Sequence, residues 1–501
     1  MNWKKLQNGS DIRGVALEGV ESESVNLTPE VAEILGKAFV SWLKNFSQQS
    51  EVSIAVGTDS RISGPLIKEA FIKGLSVSGA QVFDCGIAST PAMFMTTVSG
   101  EKSTTAGVMI TASHLPFNRN GLKFFSKQGG LDKRDITEIL RIAEATDYVT
   151  VNQVLPVKTW NFIDEYSKFL VDYIRENANI ESNFAKPLQG LKIIVDAGNG
   201  AGGFFASKVL DQLGADTTGS QFLDPDGNFP NHVPNPEDKD AMQSICDAVI
   251  RENADLGVIF DTDVDRSAIV DAKGNPVNRN ALIAMISAVI LNEHPGSTIV
   301  TDSITSDGLT QFIEESLKGK HHRFQRGYKN VINESVRLNN AGEESWLAIE
   351  TSGHAALKEN YFLDDGAYLV AKLLVEMAKL NAKGRTLTDL IANLEQPNES
   401  KEFRFTVLEE DFGKYGMQVI TELEKKVLQH AGWEVVKPNY EGIRVRCASE
   451  KGWFLLRLSL HDPVMPLNIE SGIEGGVSKI AAELKKLLTE YNGLKIDALD
   501  E

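Results

Sequence analysis

A hydroxyl, an imidazole and an ammonium fall within one short stretch, residues 106–125, AGVMITASHLPFNRNGLKFF. An apolar run, Val108-Met109-Ile110, ends in Thr111-Ala112-Ser113-His114. A loop with Pro116, Asn118, Asn120 and Gly121 follows, and a second apolar run carries Lys123. The pattern is strand, polar loop, strand. It makes Ser113 a candidate nucleophile, with His114 and Lys123 as acid/base partners. A solvated hairpin tip whose polar residues bond within the turn fits the same residues.

Three further stretches carry chemistry. In Gly257-Val258-Ile259-Phe260-Asp261-Thr262-Asp263-Val264-Asp265-Arg266, apolar residues feed into three alternating aspartates. Carboxylates so crowded repel one another unless a cation sits among them, and oxygen ligands suit a hard ion such as Mg²⁺. An EF-hand is a poor fit, because Arg266 and Ala272 stand where that loop needs Gly and Glu. In Ala348-Ile349-Glu350-Thr351-Ser352-Gly353-His354, a strand runs into a carboxylate, hydroxyls and an imidazole, groups that can read sugar hydroxyls or cap a helix. In Trp453–Pro463, the expected strand places Arg457 and Ser459 on one face, with His461 continuing it. Guanidinium, hydroxyl and imidazole together make a phosphate clamp, and Arg444 and Arg446 add positive charge. Phe324–Lys329 is a short basic loop.

The elements that must position these groups repeat. Residues 52–57, 191–196 and 297–300 are β-rich runs, each followed by a Gly/Asp/Ser turn and an amphipathic helix, to Val77, Leu213 and Leu317 respectively. That is the form of a layered α/β unit. The last hundred or so residues differ: a strand over Phe403–Val407, a helix over Phe412–His430, strands over Gly442–Cys447 and Trp453–Leu460, and a closing helix over Ala481–Tyr491. The fold class expected is α/β: three related mixed α/β domains, residues 1–157, 158–279 and 280–398, plus a smaller C-terminal α+β domain, residues 399–501. Ser113, Asp261, Glu350 and Arg457 then fall one per domain at strand ends, where open α/β sheets bind ligands, and would share a central cleft.

The 501-residue chain carries a net charge of -18, which repels nucleic acid and anionic membranes. Ala281–Leu291, its longest apolar stretch, is too short to span a bilayer and reads as a buried helix. Cys85, Cys246 and Cys447 lie far apart, in neither metal spacing nor a disulfide framework. With no apolar signal segment at the N-terminus, a cytoplasmic location is expected.

Taken together, these residues resemble the phosphohexomutases of the phosphoglucomutase/phosphomannomutase superfamily over essentially the full chain. TASHLP with its NGLK continuation is similar to that family's phosphoserine loop, and DTDVDR to its metal loop, usually written DGDGDR. ETSGH resembles the sugar-recognition loop, and Ser10-Asp11-Ile12-Arg13-Gly14 the N-terminal motif whose Arg reaches the active site. The resemblance implies four domains around a cleft and reversible phosphoryl transfer between the 1- and 6-positions of a hexose. Ser113 would be phosphorylated at rest, with a hexose 1,6-bisphosphate as intermediate and activator. Mg²⁺ would be held by Asp261, Asp263, Asp265 and phosphorylated Ser113. His114 and Lys123 would move the hydroxyl proton, helped by Arg13. Arg266, Lys329, Glu350, Ser352 and His354 would hold the sugar, and Arg457, Ser459 and His461 its distal phosphate. A hexose phosphate is the expected substrate, and the chain would be a monomer or homodimer.

Two departures stand out. The family's phosphate loop reads Arg-Pro-Ser-(Gly/Asn)-Thr-(Glu/Thr)-Pro; here it is RLSLHDP, with Asp462 before the proline. Thr351 sits where the mannose/glucose branch often has Met and the glucosamine branch Gln, so a phosphoglucosamine mutase stays open. A non-catalytic sugar-phosphate-binding protein and a serine-linked phosphatase complete the alternatives. Binding needs no nucleophile, and a closing domain would exclude the water a phosphatase requires.

Overall fold

The computed structural model describes residues 2–151, 154–459 and 462–500; His461 lies outside the described residues. The chain forms two compact units, Met1–Asn278 with Ser352–Asp389, and Arg279–Thr351 with Leu390–Glu501.

In the first unit, an eight-stranded mixed sheet carries Ser113. Ala106–Ile110 and Gln81–Ile87 flank Ser53–Thr58 as parallel neighbours, and Arg119–Ser126 returns antiparallel to Ala106–Ile110. All five residues of Ala106–Ile110 are buried, which is why this strand reads as a continuous apolar run. Thr58 pairs with Ile110, so both strands end at one edge and deliver their polar loops together. Helices Pro29–Ser47 and Gly64–Val77 cover the sheet, the first capped by Thr28 with Pro29 in its first turn. The two helices meet closely at Gly74, where a methyl group would come within 2.1 Å of Glu33 O. Beneath them the rings of Phe39 and Phe124 meet at 4.7 Å between centroids, tilted by 44°, beside Phe71. Each such fully buried ring contributes roughly 1.5–3 kcal/mol.

A second sheet of the same unit orders Pro276–Val277, Ser267–Asp271, Leu256–Phe260 and Ile193–Asp196. Leu256–Phe260 runs parallel to Ile193–Asp196 and hairpins into Ser267–Asp271, so residues 261–266 form the hairpin turn. The segment expected to be an ordinary helix to Leu213 is instead a π-helical turn, Phe205–Leu210, followed by a 3₁₀ turn. Just before it the backbone packs closely: a methyl group on Gly203 would meet Leu223 O at 2.1 Å. Helix Gly366–Asn381 starts against the hairpin, with Gly366 N donating to Val264 O at 3.1 Å.

In the second unit, Thr298–Thr301 lies between parallel neighbours Lys320–Arg323 and Ser345–Ile349. The expected apolar helix is Arg279–Glu293, buried from Leu282 through Leu291. Among the described residues no helix is long and apolar enough to cross a membrane. A six-stranded antiparallel sheet closes the chain, with helices Phe412–Val427 and Gly476–Leu488 packed on a core around Phe405, Leu423 and Phe454. The closing helix thus begins before the expected Ala481. The expected strand to Leu460 is also corrected: Gly452–Leu456 stops short of Arg457. Arg457 N and Ser459 N still donate to Pro466 O and Val464 O, at 3.1 and 2.9 Å, but Pro466 has no N–H to return and the ladder ends. The result is three mixed α/β segments and a fourth, antiparallel one, as the fold class required.

Candidate active site

Ser113 leaves its strand in the left-handed region, φ 53°, an uncommon conformation for serine that aims its side chain out of the turn. Thr111 Oγ1 accepts the Ser113 N–H at 2.8 Å. Arg61 holds the loop from beneath. Its guanidinium donates to the carbonyls of Ser113, Leu115 (2.6 Å), Pro116 (2.8 Å) and Arg119 (3.0 Å), and its Nε lies 3.3 Å from Asp59 Oδ2. Burial pushes the Asp59 carboxyl up to about 6, against the pull of Arg61.

The aspartate turn meets this loop within the first unit. Ser113 Oγ donates to Asp261 Oδ2 at 3.0 Å, and Arg266 Nη2 donates to Ser113 Oγ at 3.1 Å and to Asp261 Oδ2 at 3.1 Å. His114 Nδ1 accepts from Arg266 Nη2 at 2.6 Å, which leaves the imidazole proton on Nε2. Lys123 spans the other two carboxylates, 2.8 Å from Asp263 Oδ2 and 2.5 Å from Asp265 Oδ2. Arg13 Nη2 donates to Asp11 Oδ2 at 3.1 Å on the adjoining strand. Val264, a β-branched residue, is held at φ 67° to bend the turn, a position better suited to the glycine of the usual motif.

Burial and mutual charge set the ionisation. Burial, then Asp265 and Asp263, push Asp261 well above the carboxylate range. Asp265 is equally buried, but Lys123, His354 and Arg266 outweigh burial and hold it low. Lys123 also resists its burial, because Asp263 and Asp265 keep the ammonium charged. Burial, with Arg266 and Arg13, drives His114 down to about 3, a neutral imidazole at neutral pH. His354 goes the other way. Burial would lower it, but Asp364, bonded to its Nδ1, and Asp265 raise it to about 9.

The three aspartates each offer an oxygen within 4.8 Å of the others. Asp263 Oδ1 and Asp265 Oδ1 are buried without a hydrogen-bond partner among the described residues. Oxygen-only donors, crowded negative charge and orphaned buried oxygens fit a hard divalent cation. The turn is therefore an acidic cluster that could hold a metal ion, with Ser113 bonded to one of its members.

The remaining expected site residues divide between the units. His354 lies in the first unit, bridged to Arg266 beside the cluster. Ser352 belongs there too, and the adjoining Gly353 packs so tightly that a methyl group would meet Ser267 O at 2.7 Å. Lys329, Glu350, Arg457 and Ser459 belong to the second unit. Glu350 Oε1 accepts from Gly327 N at 2.6 Å, at the start of the helix that carries Lys329. Thr351 Oγ1 is turned to Asp302 Oδ2 at 2.7 Å. Arg457 Nη1 lies 3.8 Å from Glu441 Oε1. Ser459 Oγ accepts from Asp462 N at 3.3 Å, and the Asp462 side chain is exposed.

Several residues of the cluster were not singled out from sequence. Thr90 Oγ1 donates to Asp263 Oδ2 at 2.5 Å, and Asn235 Oδ1 accepts from Arg266 Nη1 at 3.2 Å, with Glu237 at 3.9 Å. Arg61 and Asp364 join them. The Thr58-Asp59-Ser60-Arg61 turn and the Pro234-Asn235-Pro236-Glu237 run were visible signals; Thr90 and Asp364 had none.

Comparison with known proteins agrees with this geometry. Models of phosphoglucomutase/phosphomannomutase alpha/beta/alpha domains I, II and III match residues 4–150, 166–274 and 278–397. The chain is 32% identical over 488 residues to a phosphomannomutase/phosphoglucomutase of Pseudomonas syringae pv. tomato, covering 96% of this chain and 95% of that protein. It is 29% identical to a phosphoglucomutase of Neisseria meningitidis, covering 95% of each. A crystal structure of a phosphoglucomutase/phosphomannomutase family protein from Burkholderia thailandensis superposes with a TM-score of 0.78 at 25% identity, covering 96% of each chain.

Proposed function

This chain belongs to the phosphoglucomutase/phosphomannomutase family, and from that premise we propose that it moves a phosphoryl group reversibly between the 1- and 6-positions of a hexose phosphate by way of Ser113. It is a mutase, an intramolecular phosphotransferase. The observation that carries the assignment to Ser113 is its placement: Oγ is bonded at once to Asp261 and Arg266, inside a buried cluster of three carboxylates and Lys123.

Ser113 carries the phosphoryl group at rest. The free hydroxyl of the bound sugar attacks phosphorus, the bond to Ser113 Oγ breaks, and a hexose 1,6-bisphosphate forms. The bisphosphate turns over, and its other phosphoryl group returns to Ser113. Such transfer depends on positioning and charge stabilisation rather than on covalent work by the protein. Arg266 reaches Ser113 Oγ and stabilises the serine oxygen as it leaves. Lys123 and His114, with Arg13 as helper, carry the hydroxyl proton in both directions. His114 takes part only once Arg266 Nη2 releases its Nδ1, because Nε2 already bears the ring proton. Asp261, Asp263, Asp265 and the phosphoserine would hold Mg²⁺, which when bound offsets the charge of the transferring group.

The sugar is read by Glu350, Ser352, His354 and Lys329, and its distal phosphate by Arg457 and Ser459. Glucose and mannose phosphates lead over glucosamine phosphate, and a kinetic panel of all three with trace bisphosphate decides among them. Four domains, residues 1–157, 158–279, 280–398 and 399–501, carry one group each. Three buried free thiols support a reducing cytoplasm. Intact-mass analysis should find one phosphate, mapping to Ser113, and Ser113→Ala should abolish turnover with the fold kept. Full turnover in that variant would end the proposal.

A further inference from the structure

On the reading of Arg457 as a contact for the substrate's phosphate, the subsite that Arg457 serves already receives an anion from this chain. Within the second unit, Glu441 Oε2 accepts from the Ser303 hydroxyl and, at 3.2 Å, from the Arg326 N–H. Its other oxygen faces Arg457 Nη1 at 3.8 Å. Ser303 follows strand Thr298–Thr301, Arg326 follows Lys320–Arg323, and Arg457 follows Gly452–Leu456. Three strand ends therefore direct a hydroxyl, a backbone amide and a guanidinium at one carboxylate, which are the donor types that bind phosphate.

The carboxylate is positioned by its turn. Asn439 Nδ2 donates to the carbonyls of Glu441 and Gly442, at 3.0 and 2.9 Å. Gly442 sits at φ 58°, pressed so near the end of strand Gly452–Leu456 that a methyl group would meet Leu456 O at 2.1 Å. Only 12% of the Glu441 side chain is exposed. Arg457 is poorly satisfied by the arrangement, since its Nε is buried with no hydrogen-bond partner among the described residues. The guanidinium therefore holds donor capacity that a single carboxylate at that distance does not fill.

We propose that Glu441 is a built-in occupant of the substrate-phosphate subsite, which a sugar phosphate displaces on binding. A carboxylate has two acceptor oxygens and one charge; a phosphate monoester has three free oxygens and nearly two charges. The same donors therefore favour the phosphate, while weaker anions fail to dislodge Glu441. Between turnovers the carboxylate keeps buried donors from being left unpaired. Glu441 is thus a specificity residue, setting the threshold of charge a ligand must carry.

The test is binding of inorganic phosphate to the full chain, followed by calorimetry, in wild type, Glu441→Gln, Glu441→Ala and Arg457→Ala. Both Glu441 variants should bind phosphate on the order of tenfold more tightly, because an internal competitor and its repulsion are gone. Their KM for the sugar phosphate should fall in step, and acetate should now compete. Unchanged or weaker phosphate binding in both variants would overturn the proposal, since Glu441 would then be orienting the donors. Arg457→Ala separates the two levels of the argument. If it leaves phosphate binding intact, the assignment of Arg457 has failed; if it weakens binding while the Glu441 variants do nothing, only the displacement step has failed. Thermal melting of Glu441→Gln and Glu441→Ala, expected near wild type, guards against a loss of fold in either.

Discussion

Arg61→Met removes the guanidinium beneath the Ser113 loop while keeping much of its volume. In the wild type this side chain is 1% exposed and bonds four carbonyls of residues 113–119. Hydrogen bonds from a charged donor contribute about 1.5–3 kcal/mol each, but ordering and desolvating the guanidinium offsets much of that sum. The variant also leaves the buried Asp59 carboxyl without its partner. Breaking a buried pair by removing one member costs about 3–5 kcal/mol. We expect a loss of that size, localised to the loop, because the acceptors all lie there. Hydrogen exchange of the amides from Ala112 to Gly121 should accelerate by about two to four orders of magnitude, since about 1.4 kcal/mol corresponds to each factor of ten. Displacing the nucleophile by about 1 Å should lower kcat on the order of a hundredfold. Adding Asp59→Asn removes the unpaired carboxyl and should recover part of the stability but little of the rate. A variant whose loop amides exchange as in the wild type, with kcat unchanged, would refute the claim that Arg61 positions Ser113.

Two further outcomes follow from the same physics. His321 is half-buried, its ring held between Thr301 Oγ1 and Thr310 Oγ1 at 2.8 Å from each, with Glu314 on its backbone, and desolvation with Arg323, Arg444 and His322 holds its pKa well below 6.5. Its contribution is complete above the unfolded value and is lost as pH falls below about 6.5, by up to about 1.4 kcal/mol per pH unit. Glu470, which burial pushes to about 7, acts in the opposite sense over that range. The effect is therefore read as the difference in melting temperature between wild type and His321→Gln from pH 8 to pH 5.5; parallel profiles would count against it. For the acidic cluster, Mg²⁺ at about a hundredfold excess over its Kd should stabilise the chain by about 2.7 kcal/mol relative to chelator. Asp263→Asn should remove most of that shift, and a full shift in this variant would put the ion elsewhere.

Much of the fold was legible because its signals are local. Buried parallel strands such as Ala106–Ile110 write themselves as unbroken apolar runs, and the polar residues that follow mark a strand end. The phosphate loop misled for an equally local reason: Arg457 and Ser459 alternate as a strand would, but the ladder depends on a partner, and that partner is Pro466. Supporting residues were hard to find because their partners are distant. Arg61 serves a loop 52 residues on, Asn235 serves Arg266, and Thr90 reaches Asp263 across 173 residues.

By itself, then, the sequence determined the chemistry on offer: a serine and an imidazole at one strand end, three aspartates in one hairpin turn, and a lysine that follows the serine. Side-chain type and the two-residue period of a strand are properties of neighbours in the chain, and they survive in the bare order of residues. Only the tertiary structure decided the state of those groups. It kept Lys123 charged between Asp263 and Asp265, made His114 neutral beside Arg266, and raised His354 against Asp364. Ionisation depends on burial and on the charges within a few ångströms, and both arise only when segments far apart in sequence pack together.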